Sequence, residues 1–244
     1  LLKDVLMPIR IGVVMAGLFY ASYKDWASRE VDDWVWVICG VAGAILTGLD
    51  MASWWSLDRL IQALISIVLS VGLAFAFYFF GFYGGADAKA IAVISVALPV
   101  HSPPFKIHPF TGLASLSNGL LFSLLILPLF LTWNLIALAR GERIFEGFEH
   151  ERGIRKLAAM LFGIRSRNAR RRRFWFPLET ERDGRRYFSF NILGLELEEI
   201  QRNDCWITPG LPLLISITAG LIFYILVGDV LALILQLLTP PYLG

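Results

Sequence analysis

Long apolar runs separated by short, charged segments dominate this chain, so helices of membrane-crossing length are the first elements the pattern predicts. Met7 to Tyr23 predicts a first span of about the 20 residues a bilayer core requires. Its outline, with Arg10 ahead of the apolar stretch, is that of a signal peptide. A charged cluster follows at once, though, with no small-residue cleavage site, and the run is expected to remain as a span. A charge-dense loop from Ser22 to Asp33 leads to a second span, Trp34 to Leu49, in which Gly40 and Gly43 permit close helix packing. Asp50 to Asp58, with Trp54 and Trp55, reads as an interfacial turn with an aromatic anchor.

A third span, Leu60 to Phe80, runs into the glycine loop Gly81-Phe-Tyr-Gly84-Gly85-Ala86-Asp87-Ala-Lys89. Ala88 to Val100 is a short fourth apolar run, His101 to Thr111 with its three prolines a loop, and Gly112 to Ala139 a fifth span. The character changes from Arg140 to Gly210, which holds 15 Lys/Arg and 11 Asp/Glu and no long apolar run. It is expected to form a separate aqueous domain. Arg143 to Phe162, with Leu157, Met160 and Leu161 at helical spacing, predicts an amphipathic helix. Asp183-Gly184 between Phe174-Trp-Phe176 and Tyr187-Phe-Ser-Phe190 predicts a hairpin with aromatic arms. A sixth span, Leu211 to Val227, follows Trp206-Ile-Thr208-Pro209, and Val230 to Leu238 is an apolar tail. The expected fold is an all-α membrane bundle of six transmembrane helices with a small β-containing insert between helices 5 and 6. In domain terms this is 1–139, 140–210 and 211–244.

Composition agrees: 57% of residues are hydrophobic and 17% charged, and mean hydropathy is +0.63, outside the range of soluble globular domains. Cys39 and Cys205 fit no zinc or disulfide spacing, and His101, His108 and His150 make no ligand cluster. No metal or cofactor is expected. Arg140 and Arg143 flank the fifth span, which places the 140–210 segment in the cytoplasm by the positive-inside rule. Counting back, the loops at Lys24 to Asp33 and Gly81 to Lys89 share that side, with Asp229 opposite.

Two spans separate Asp25 from Asp87, so both carboxylates lie at one membrane face. A carboxylate at that depth is costly unless functional or paired. Asp87 at the start of a helix also suits a simple cap. Two carboxyls a few ångströms apart do not ionise together easily; one holds a proton while the other is charged. The charged one takes a proton from water and the protonated one hydrogen-bonds a peptide carbonyl. This is aspartic protease chemistry.

The loop ending Gly84-Gly85-Ala86-Asp87 resembles the GxGD signature of membrane aspartyl proteases, with Ala86 in place of the motif's second glycine. Ser22-x-x-Asp25-x-x-Ser-Arg29-x-Val-x-Asp33 resembles their first-aspartate motif. With six spans, an insert before the last and the Trp206 segment, the chain resembles the archaeal preflagellin peptidases, relatives of type IV prepilin peptidases. The resemblance implies Asp25 and Asp87 as catalytic residues, supported by Gly84, Gly85, Ala86, Lys89, Arg29 and Asp33. It implies cleavage of precursor archaellin- or pilin-like subunits, in a cell membrane, at the cytoplasmic face just before their hydrophobic stretch. Such leaders are short and basic, so Glu30, Asp32 and Asp33 are expected to form an acidic collar for them. The paired cysteines of the methylating bacterial relatives are missing, so no methyl transfer is expected.

Arg29 either positions Asp25 or anchors topology, and Lys89 either tunes the dyad or reaches headgroups. Arg170, Arg171, Arg172 and Arg173 suit anionic lipid headgroups better than nucleic acid, because aromatic strands follow them. Two other classes use the same residues differently: a proton- or cation-coupled transporter with Asp87 and Asp229 on its path, and a non-catalytic assembly scaffold. Neither predicts that both Asp25 and Asp87 are needed for peptide cleavage.

Overall fold

The computed structural model describes residues 2–190, 200 and 202–238. It is mostly helical with a small strand-containing region, and divides into two compact units, residues 1–123 with 212–244, and residues 124–211. Among the described residues four helical stretches are long and apolar enough to cross a membrane: Val5–Ser28, Asp33–Ser53, Leu57–Phe79 and Thr111–Ala139. Leu213–Leu226 is apolar but shorter.

The first unit contains α1 (Leu2–Ser28), α2 (Asp33–Ser53), α3 (Leu57–Phe79), α4 (Gly85–Ala97), α5 (Thr111–Leu124), α8 (Leu213–Leu226) and α9 (Val230–Leu238). Beyond Lys89, α4 is apolar around its circumference apart from Ser95, whose hydroxyl donates to Ile91 O, the pattern of an enclosed helix. Accordingly Ala88, Ala90, Ile91, Ile94 and Ala97 are all buried, with α1, α2, α3 and α8 packed around them. Small residues permit the close approaches: a side chain at Gly43 would meet Ala97 Cβ at 2.5 Å, and one at Gly220 would meet the Gly119 nitrogen at 2.7 Å. The C-terminal carbonyls of α4 are held too. Ala97 O accepts from Arg10 Nε at 2.6 Å and, with Val96 O, from Thr47 Oγ1 at 3.0 and 2.9 Å. The wide exposed apolar faces of α1, α2 and α3 carry Tyr23, Trp26 and Trp34 toward one end of the unit and Trp54 and Trp55 toward the other, the signature of two interfaces.

Three features of the helical spans depart from the sequence reading. The charged segment after Tyr23 is not a loop from Ser22 onward: α1 continues to Ser28 and Asp25 lies on it. A helix does not stop where its apolar residues stop, and here the stop is Arg29, left-handed at φ 61°. Asp87 is in the first turn of α4 rather than in the glycine loop. The fifth apolar run is broken at Leu125 into α5 and α6 (Ile126–Ala139), because Pro128 has no N–H for the Leu124 carbonyl and its ring crowds that turn.

Among the described residues the second unit contains α6, α7 (Gly153–Phe162) and the strands β1 (Ile164–Ser166), β2 (Trp175–Pro177), β3 (Glu179–Arg182), β4 (Arg185–Phe188) and β5 (Cys205–Pro209). β5 is the centre of an antiparallel sheet ordered β1-β5-β2, and β3 and β4 form a separate hairpin. Asp183 and Gly184 are its two-residue turn, both at positive φ (51° and 74°), as an Asp-Gly turn of this kind requires. The hairpin is where the sequence put it, but its arms are Glu179–Arg182 and Arg185–Phe188; the Phe174–Phe176 stretch contributes to β2 of the other sheet instead. The helix expected from Arg143 forms only from Gly153. The segment before it is turns, with Gly147 at φ 86° and Ile144 and Phe148 buried as core residues. Trp206 is fully buried, its amide donating to Glu179 and its indole N–H to Ile144 O at 3.1 Å. It is therefore a core residue of this unit, not part of the last helix.

Candidate active site

The site is assembled at one end of the first unit from the last turns of α1, the start of α4 and the start of α8. Asp25 projects from α1, with its side chain 16% exposed, and Arg29 Nη1 stands 3.7 Å from Asp25 Oδ1. The backbone N–H of Leu214, in the first turn of α8, acts on the Asp25 carboxylate. The exposed amides at a helix N-terminus favour an anion there. Ser22, one turn earlier, is buried and lies 2.9 Å from Thr218 Oγ1. Thr218 spends its own hydrogen on Leu214 O at 2.8 Å, so Ser22 is the donor of that pair. These contacts fix the α1–α8 pairing next to Asp25.

Asp87 is 9% exposed and sits at the third position of α4, reaching back to accept from the Gly84 N–H at 3.1 Å. The capping role that its position suggests is therefore real. It does not exhaust the residue: the charges of both Asp25 and Arg29 act on Asp87. Elements far apart in sequence thus bring Asp25, Asp87 and Arg29 into one electrostatic cluster. Ala86 belongs to the helical first turn of α4, where alanine is at ease; the positive φ of this loop is at Gly81, 75°.

Lys89 pairs with Asp33 at 2.5 Å, linking α4 to the start of α2. Asp32 faces Lys24 at 3.7 Å. Glu30, Asp32 and Asp33 are all exposed beside the site. Sequence reasoning missed Tyr83, whose hydroxyl donates to Ala74 O at 2.8 Å. Burial, and then the charge of Asp87, pushes its phenol up to about 12, so it is neutral at physiological pH. The sole sequence signal for it is its place in the glycine loop. Asp229, 2% exposed, is occupied elsewhere: it accepts from the Ile107 N–H at 2.8 Å, and its own N–H donates to Phe105 O. Among the described residues no cluster of three or more His, Cys, Asp or Glu side chains is arranged to hold a metal ion. In the second unit Arg170 to Arg173 are exposed, with Arg172 over the Trp175 ring at 4.9 Å and Arg173 over Phe174 at 6.0 Å.

Residues 12–141 match the sequence profile of the type IV leader peptidase family, and residues 155–230 match the archaeal peptidase A24 C-terminus, type II. The preflagellin peptidase of Methanococcus maripaludis is 24% identical over 233 residues, 87% of this chain and 92% of that one. The preflagellin peptidase of Methanocaldococcus jannaschii is 35% identical over 106 residues, 43% of this chain and 42% of that one. With the family profile covering more than half of its residues, the two aspartate segments included, the chain belongs to the type IV leader peptidase family, and it is a peptidase.

Proposed function

We propose that this peptidase is an aspartyl endopeptidase that removes short basic leaders from preflagellin- or prepilin-like subunits, with Asp25 and Asp87 as its catalytic pair. The observation that carries the reading is the convergence of the two carboxylates: α1 and α4 deliver them to one cluster with Arg29. One carboxyl, ionised, takes a proton from a water held between them. The other, protonated, donates to the carbonyl oxygen of the scissile peptide as the water oxygen attacks its carbon. The proton gained by the first then goes to the leaving amine. The Gly84 amide holds the Asp87 carboxylate at 3.1 Å, and the Leu214 amide at the start of α8 favours charge on Asp25. Arg29 positions Asp25.

In this reading α4 and α8 serve as shorter spans beside the four long helices, giving six. The basic flanks of the fifth run orient the site and the 140–210 segment to the cytoplasm, where leaders are presented. Glu30, Asp32 and Asp33 receive the basic leader. Asp33 is paired closely with Lys89 and Asp32 more loosely with Lys24, at 2.5 and 3.7 Å. The exposed Arg170 to Arg173 run, stacked in part on aromatic rings, meets anionic lipid headgroups.

The test is cleavage of a purified precursor by membranes containing this protein, beside Asp25→Asn and Asp87→Asn variants at equal expression. Both variants are expected to be inactive. Cleavage by either one overturns the reading and returns the transporter and scaffold classes.

A further inference from the structure

At the opposite end of the first unit from Asp25 and Asp87, a cleft of about 440 Å³ opens between α2 and α3. It is lined from Ala44 to Trp55 on α2 and the turn after it, and from Leu60 to Ile67 on α3, with Val96 of α4 against it. Thr47, the one polar side chain in the lining, spends its hydroxyl on the α4 carbonyls. The surface offered is therefore hydrocarbon. The helical lining from Ala44 to Ala52 rises about 12 Å at 1.5 Å per residue, and Trp55 extends it, so the cleft covers roughly half of a ~30 Å hydrocarbon core. It thus runs the depth of one leaflet.

At the Trp55 end sits a cationic cluster. Asp50 is buried and accepts from Arg10 Nη1 at 3.0 Å and from Arg59 Nη2 at 3.1 Å. Arg59 also donates to Trp54 O at 3.0 Å, holding its guanidinium over the α2–α3 turn. Two guanidiniums face one carboxylate, so the cluster keeps a net positive charge. The Arg59 side chain is 39% exposed, leaving donors free for a further anion. Neighbouring Asp58 is exposed to water, where its charge is screened more strongly.

We infer that this cleft is a binding site for one anionic phospholipid, with a hydrocarbon chain between α2 and α3 and the phosphate on Arg59. The chemistry selects the occupant: a hydrocarbon lining that ends at a part-exposed guanidinium matches a lipid, apolar in its chain and anionic at its phosphate. The site lies away from the aspartate pair and does not depend on how that pair works.

The experiment is native mass spectrometry of the purified full chain in mild detergent, titrated with phosphatidylglycerol or phosphatidylcholine of equal chain length. The wild type is expected to retain one phosphatidylglycerol at concentrations where phosphatidylcholine binds at least tenfold less. Gly48→Leu adds a side chain to the cleft lining at a position where a Cβ meets nothing within 4 Å. It is expected to weaken both adducts at least tenfold, and Leu64→Trp, on the facing helix, to do the same if Gly48→Leu proves unstable. Arg59→Gln is expected to abolish the preference for phosphatidylglycerol while keeping a lipid adduct. Equal binding of the two lipids by the wild type, or undiminished adducts in both filled variants, overturns the inference. So does a dimer that the filled variants dissociate.

Discussion

Arg29 stands 3.7 Å from Asp25 while its own backbone is held at φ 61°, in the left-handed region that a residue with a side chain enters at a cost. Glycine would end α1 there more comfortably, so the strain is kept together with the guanidinium it aims. Arg29→Gly is expected to relieve about 1 kcal/mol of backbone strain and so leave the melting temperature equal or higher, while kcat falls at least tenfold. Arg29→Lys is expected to recover part of that loss. A glycine variant with full kcat would reduce Arg29 to a topology anchor.

Ser22 and Thr218 join α1 to α8 from positions 196 residues apart. Ser22→Ala is expected to destabilise by about 1 kcal/mol, as for one buried hydrogen bond, and to lower cleavage through the position of Asp25. A double-mutant cycle with Thr218→Val checks this. The coupling should appear in both stability and kcat; coupling in stability alone would leave the pair with no bearing on Asp25.

Much of this was legible in the sequence, for identifiable reasons. The long spans follow from apolar length alone, and the hairpin at Asp183-Gly184 from two residues that tolerate positive φ. The two aspartates were visible as carboxylates beside membrane-length runs. What was not legible depends on distant contacts or on burial. Ile144 and Phe148 imitate the spacing of an amphipathic helix, yet they are buried from turns. The Leu214 amide reaches Asp25 across 189 positions, and no local pattern announces it. Trp206 borders an apolar run and looks like its beginning, but its indole is satisfied within the second unit.

Neutralising Glu30 and Asp32 together is expected to raise KM for a precursor several-fold and leave kcat nearly unchanged, since the leader is remote from the scissile bond chemistry. Adding Asp33→Asn also breaks the Lys89 contact and should lower stability as well. Steady-state kinetics against a precursor with lysines in its leader, beside one with glutamines, checks the assignment. An unchanged KM rules out the acidic collar.

In the second unit, the Arg165 hydrogen bonds hold the Asp204 carboxyl below the usual carboxylate range, against the opposing effect of burial. A folded-state pKa below the unfolded value gives stability that is present above pH ~4 and is lost as pH falls through the folded value. Acid unfolding of the full chain, followed by circular dichroism, should therefore shift to higher pH in Asp204→Asn. The two proteins should differ in stability at pH 7 and converge at pH 2. A constant difference across that range contradicts the linkage.

The central claim is that Asp25 and Asp87 act as one catalytic unit. Its most direct measurement is single-turnover cleavage of a purified precursor by Asp25→Asn, Asp87→Asn and the double variant, each with its melting temperature checked. The account predicts that each single variant loses about 10³-fold or more in rate and that the double variant is scarcely worse, because removing either partner disables both. Multiplicative losses in the double variant, or a single variant within tenfold of wild type, would contradict it.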